Sequence, residues 1–193
     1  MMHVRAFQSD LTHRIAAHLR RFAQDEDAVV AVESIVMLPM MFWGYVSMFT
    51  FFDAYRQNSI NVKAAYTISD MISRETLALN PAYMNGAHAL LELLTRSPTT
   101  TRLRVTIARW DAPAKKYRLE WSQTKGGVTA LNAAQVEALK NKLPVMVPDE
   151  RVIIVETWSK YAPPFKVGLP EQDLYNFVFT RPRFAPQVVW SNT

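Results

Sequence analysis

Apolar positions along this chain change their spacing three times. Val4, Phe7, Leu11, Ile15, Leu19 and Phe22 recur at steps of three or four residues, one stripe of a helix. From Ser34 to Phe52 no charge interrupts 19 consecutive residues, about what a bilayer core requires. Phe42, Trp43, Phe49, Phe51 and Phe52 fall on every side of that segment, as expected of a helix surrounded by lipid. The competing reading is the buried central helix of a soluble protein. Beyond the segment, Ile60, Ala64, Ile68, Met71 and Ile72 continue a stripe, with Lys63, Asp70 and Arg74 on other faces. Asn80-Pro81 is expected to end the helix, because the residue before a proline avoids helical angles. Val29 to Leu79 thus forms one predicted rod of 51 residues, roughly 75 Å long if straight. Pro39 removes a backbone donor and is expected to kink it. A second helix carries Tyr83, Ala87, Leu90, Leu91 and Leu94 and ends near Pro98.

The period then falls to two. Leu103, Val105 and Ile107 alternate with Arg102, Arg104 and Thr106, and Asp111 and Pro113 mark a turn before Tyr117, Leu119 and Trp121. This pattern predicts a β-hairpin with one wet face. Gly126-Gly127 breaks the chain and lacks the rest of a phosphate loop. A short helix follows from Asn132, placed to cap it, to about Lys142. Val152–Val155, apolar on both faces, predicts a central strand. Pro163, Pro164 and Pro170 mark a loop, and Tyr175, Phe177 and Phe179 the last strand. The fold class is therefore α+β: a long N-terminal helix packed on a small antiparallel sheet covered on one side by helices. The expected divisions are a leader at 1–28, a membrane span at 29–55, helices over 56–98 and the sheet region over 99–193.

Composition narrows the chemistry. Cysteine is absent, which removes disulfides, thiol catalysis and cysteine metal sites. Of four histidines, His3, His13 and His18 precede the span and only His88 follows it. A histidine metal site beyond the span cannot be assembled, and a catalytic triad would rest on His88 alone. Carboxylates are scattered and no Ser/His/Asp spacing stands out, so the expectation is a non-enzyme without cofactor or metal. From Arg56 onward there are 18 Lys/Arg against 11 Asp/Glu, an excess of +7. Trp110, Tyr117 and Lys115-Lys116 on a basic strand face could meet nucleic acid, but an excess of this size more often solvates a surface. Met37, Met40, Met41 and Met48 are lipid-facing or packing residues rather than ligands.

Arg14, Arg20 and Arg21 before the span are balanced by Arg56, Lys63 and Arg74 after it, so charge asymmetry does not orient it. The leader is no ordinary secretory signal: its basic region is long and no small-x-small cleavage site follows the apolar run. Its helical stripe, with Arg5, Arg14, Arg20 and Arg21, suits a helix lying on anionic headgroups. A solvated tail fits equally well.

The junction is more specific. A charged leader ends at the small residue Ala28; Val29, Val30, Ala31 and Val32 lead to a lone Glu33; then comes an apolar helix containing Leu38-Pro39. This pattern resembles the class III signal sequence of type IV pilin-like proteins, and more narrowly the TadE/TadF-like minor pilins (pseudopilins) of the tight-adherence (Tad, or Flp) pilus system. Phe52-Asp53-Ala54-Tyr55-Arg56-Gln57 and Arg181-Pro182-Arg183 are also similar to members of that family. The resemblance implies a type IV pilin-like fold and cleavage by a prepilin peptidase on the cytoplasmic side, between Ala28 and Val29, making Glu33 the fifth mature residue. It further implies a single-pass protein of the inner membrane with the domain after Arg56 outside the cytoplasm. Its partners would be other pilin subunits, the Tad assembly machinery, the peptidase and the bilayer. The family has Gly where this chain has Ala28, and its major pilins have Tyr where this chain has Ser34, which argues for a minor subunit.

Glu33 also has a physical reading. A carboxylate at the centre of a membrane helix costs about 2.5–3.5 kcal/mol on insertion scales, less near an end. Either it pairs with the α-amino group that cleavage creates at Val29, one turn and about 6 Å away along the axis, or it lies at headgroup depth without a partner. Two function classes stand: a pilin subunit, and a bitopic membrane protein whose outer domain binds a ligand or partner.

Overall fold

Glu26 to Ser73 forms one helix, α1, assigned without interruption through Pro39. The structure is a computed structural model describing residues 26–97 and 101–192, with side chains from Val30 onward. The stripe predicted between Val4 and Phe22 lies outside the described residues. The chain divides into two compact units between Phe49 and Thr50. In the first, Val30, Ile35, Leu38, Met41, Phe42 and Trp43 are all more than 60% exposed. Among the described residues one helix is long and apolar enough to cross a membrane. Its apolar side chains lie uncovered, so a buried soluble core helix does not describe this segment.

In the second unit α1 acquires an inward face. Ala64, Ala65, Ile68 and Ile72 are buried, and Ala64, Ile68 and Ile72 join the core shared with the sheet. α1 ends at Ser73 rather than at the expected Leu79. The cause is distant in sequence: the Ser73 carbonyl accepts the Arg183 N–H at 2.7 Å, and Leu79 exchanges backbone hydrogen bonds with Val189 and Ser191. Asn80 does not stop α1 but caps the next helix, α2 (Pro81–Thr95), accepting from the Tyr83 N–H at 2.9 Å with Pro81 in the first turn.

Four antiparallel strands follow: β1 (Arg102–Asp111), β2 (Lys116–Lys125), β3 (Arg151–Tyr161) and β4 (Gln172–Thr180), in the order β2-β1-β3-β4. Val152–Val155 thus lies in an inner strand, as its two-sided hydrophobicity requires. Between β2 and β3, α3 (Ala133–Ala138) runs into a 3-10 turn (Leu139–Lys142). Asn132 and Gln135 cap α3 reciprocally.

Helical structure covers both faces of the sheet, not one. Leu103, Val105, Ile107, Ile153 and Val155 pack on α1 and α2 through Ile68, Ile72, Met84 and Leu91. Ala108, Trp110, Tyr117, Val152 and Ile154 pack on Val136 of α3 and on Leu143 and Met146 beyond it. The expected wet face of the hairpin is therefore largely dry. α3 and the segment after it cover Ala108 and Trp110 of β1, and a β-bulge brings β2 to the same cover: the register jumps from Ile107↔Trp121 to Ala108↔Leu119, leaving Glu120 as the extra residue on β2. One extra residue reverses the side-chain direction. Tyr117 and Leu119 face α3, whereas Trp121 packs on the α1/α2 side and donates from Nε1 to the Val188 carbonyl at 2.8 Å.

Candidate functional site

The residues singled out by sequence lie at the start of α1. Ala28 and Val29 both fall within the helix, as do Glu33 and Pro39. Glu33 is exposed, among exposed apolar neighbours. Val29 and Glu33 stand four residues, about one helical turn, apart along α1.

A second set of polar residues belongs to the unit beginning at Thr50. Asp53, Gln57 and Asn61, each four residues apart, form one stripe of α1. Tyr161 Oη, at the end of β3, donates to Asp53 Oδ2 at 3.0 Å. Gln57 Nε2 donates to the Thr95 carbonyl at the end of α2 at 2.6 Å. Ser159 Oγ donates to Asn61 Oδ1. Asn61 and Ser159 are buried, as is Tyr161, so the Ser159–Asn61 bond forms where water does not compete and a mismatch there leaves polar atoms unpaired. Burial, and next the hydrogen bond to Asp53, pushes the Tyr161 hydroxyl up from its ordinary 10 to about 12. The stripe fixes where along α1 the sheet sits. Sequence reasoning followed the apolar positions and passed over it, although its i, i+4, i+8 spacing is visible.

At the far end of α1, Arg183 pairs with Asp70 at 3.1 Å and Arg181 with Glu150 at 2.9 Å. The Arg-Pro-Arg segment thereby straps the end of β4 to the end of α1. Both arginines are more than half exposed, so the ion pairs themselves contribute little; the backbone bond to Ser73 is the firmer tie.

Glu156 is the buried carboxylate of the second unit, 2% exposed. Arg104 Nε donates to its Oε2 at 2.6 Å and Tyr175 Oη to its Oε1 at 2.7 Å. Trp158 stacks on Tyr175 with ring centroids 5.3 Å apart, and the Arg104 guanidinium lies 5.1 Å from the Trp158 centroid. Burial, then the bond to Glu156 and its charge, pushes the Tyr175 hydroxyl well above its usual range. Both carboxylate oxygens are engaged, and neither of two surface hollows, one lined by Pro163, Phe165 and Leu169 and the other by Met146, Phe179 and Arg181, reaches Glu156. It acts as a clamp across β1, β3 and β4. His88 Nε2 lies 2.8 Å from the Thr101 carbonyl and 3.2 Å from Thr101 Oγ1, tying α2 to the start of β1. Among the described residues no three His, Asp or Glu side chains gather to hold a metal.

No family model matches this chain, and neither a curated protein nor a solved structure does.

Proposed function

We propose that this protein is a minor pilin, or pseudopilin, of a Tad-type pilus: a non-catalytic structural or priming subunit cut by a prepilin peptidase between Ala28 and Val29. The observation that carries this reading is the pattern Ala28–Glu33–Pro39 opening an exposed apolar helix that continues, within α1, into an α+β unit. Such a design gives one segment two uses. Before assembly the apolar surface dissolves in the inner membrane; in a fibre the same surface packs against other copies. Glu33 then serves as the registry element, because a carboxylate left unpaired among apolar helices costs more than one partnered by an α-amino group. The unit after Thr50 lies outside the cytoplasm and faces the other subunits, the assembly machinery or the exterior.

The test is Glu33→Gln, which keeps the shape and removes the charge. Hydrogen bonds to charged groups contribute roughly 1.5–3 kcal/mol, enough to shift an assembly equilibrium more than tenfold. Cells carrying only this variant are expected to hold normal membrane levels of the protein, cut after Ala28, and to lose pili sharply. Normal piliation at normal protein levels contradicts the pairing mechanism.

A further inference from the structure

We propose that the β3–β4 connection, residues 162–171, rests on the surface of the bilayer that α1 crosses, with Phe165 and Lys166 at headgroup depth. This builds on the reading of residues 34–52 as a membrane span and adds a second, non-helical contact to it.

The position of the loop follows from the contacts inside the second unit. Ile153 and Val155 of β3 share a core with Ile68 and Ile72 of α1. Further along β3, Ser159 bonds Asn61, and at its end Tyr161 bonds Asp53. Rising residue numbers in β3 therefore track falling numbers in α1. The connection leaves β3 beside Asp53, the first charged residue after the charge-free run that ends at Phe52. The end of α2 is held at the same level, since Gln57 bonds Thr95 and Ser97 Oγ donates to the Lys160 carbonyl at 3.3 Å.

The side chains presented at this end suit a lipid–water boundary. Phe52 and Tyr55 of α1 are 70% and 78% exposed and Phe165 of the loop 47%, and Arg56, Arg96 and Lys166 on the same three segments are exposed as well. Aromatic rings favour headgroup depth, and long basic side chains keep their charge in water while their stems lie on apolar surface. The acids nearby are engaged: Asp53 accepts from Tyr161, and Glu171, with Asp173 beside it, faces Lys160, the Glu171 ion pair spanning 2.5 Å. With charges close to balance, the contact depends more on the apolar rings than on anionic lipid. The loop is also pre-shaped. Pro163, Pro164 and Pro170 restrict it and Gly168 turns it at φ 93°, so little chain entropy is lost on docking.

The natural chain has no cysteine, so single labels report cleanly. Full-length chains carrying Met48→Cys, Lys115→Cys or Lys166→Cys are spin-labelled and reconstituted in vesicles, once of phosphatidylcholine alone and once with phosphatidylglycerol. Collision with oxygen and with a water-soluble nickel chelate is then measured. The label at 48 should read lipid, that at 115 water, and that at 166 the boundary, with nickel contact several-fold below that at 115 in both vesicle types. Adding Phe165→Ser should return the label at 166 to water. Four results overturn the proposal. Nickel contact at 166 equal to that at 115 puts the loop in water and leaves the span intact. Shielding of 166 from both reagents means a protein contact. No change with Phe165→Ser removes the anchor. Nickel contact at 48 as high as at 115 removes the span and the loop contact together.

Discussion

Tyr161 Oη donates to Asp53 Oδ2 at 3.0 Å, joining the last residue of β3 to α1 one residue beyond the end of its charge-free run. Tyr161 Oη also lies 3.5 Å from the Thr50 carbonyl, inside that run, while Ser159 bonds Asn61 two turns further along α1. Tyr161→Phe deletes the donor and leaves Asp53 without that bond, at a cost of about 1.5–3 kcal/mol for a hydrogen bond to a charged group. Asp53→Asn retains an acceptor and should cost less. Thermal unfolding of the two full-length variants in detergent compares them directly; equal stability would show that the bond does not hold α1.

The same pair sets an alkaline limit. The fold raises the Tyr161 hydroxyl from 10 to about 12. The native state thus favours the neutral phenol, and that contribution is complete below pH 10 and is lost as pH rises through about 12. Unfolding midpoints measured across this window should fall less steeply for Tyr161→Phe than for the natural chain. Parallel curves would assign the alkaline loss to other tyrosines.

Glu120 is the extra residue of the bulge on β2. Deleting it should carry Trp121 off the α1/α2 face, or Tyr117 and Leu119 off the α3 face. Either outcome exposes buried aromatic surface at a cost of about 3–5 kcal/mol, comparable to truncating a core aromatic. The near-ultraviolet circular dichroism of the Trp121–Trp190 pair, whose centroids are 5.6 Å apart, should change with it. An unaltered spectrum and stability would mean that the sheet tolerates both registers.

Gly126 turns the chain out of β2 at φ 82°, and a Cβ there would sit 2.3 Å from the Thr101 carbonyl oxygen. Gly126→Ala is expected to destabilise by about 1–3 kcal/mol, since both the backbone angle and the contact oppose it. Gly127 shares the angle but has open space around it, so Gly127→Ala should cost less. Equal denaturant midpoints for the two variants would contradict the contact.

The sequence was most legible where neighbours in the chain decide the outcome. Ser34–Phe52 announces its own helix, Asn132 its cap, and Val152–Val155 an inner strand. It was least legible where the deciding partner is distant. α1 stops at Ser73 because Arg183, from the far end of the chain, takes its carbonyl, and nothing between Ser73 and Leu79 forbids more helix. Tyr117, Leu119 and Trp121 alternate without a break, so the bulge at Glu120 leaves no mark on the pattern. Glu156 continues an apolar run, and its partners Arg104 and Tyr175 lie on two other strands. Ala28, Val29 and Glu33, proposed for processing, stand at the opposite extreme: a local pattern singles them out, and the role proposed for them is chemical rather than geometric.

The N-terminal residue of the protein extracted from membranes therefore tests the central claim most directly. Intact-mass measurement and N-terminal sequencing are applied to cells with an active prepilin peptidase and to cells lacking it. The expected result is a chain beginning at Val29 in the first and the residues before Val29 retained in the second. A leader still present in peptidase-positive cells, with other pilins in the same cells correctly cut, would contradict it.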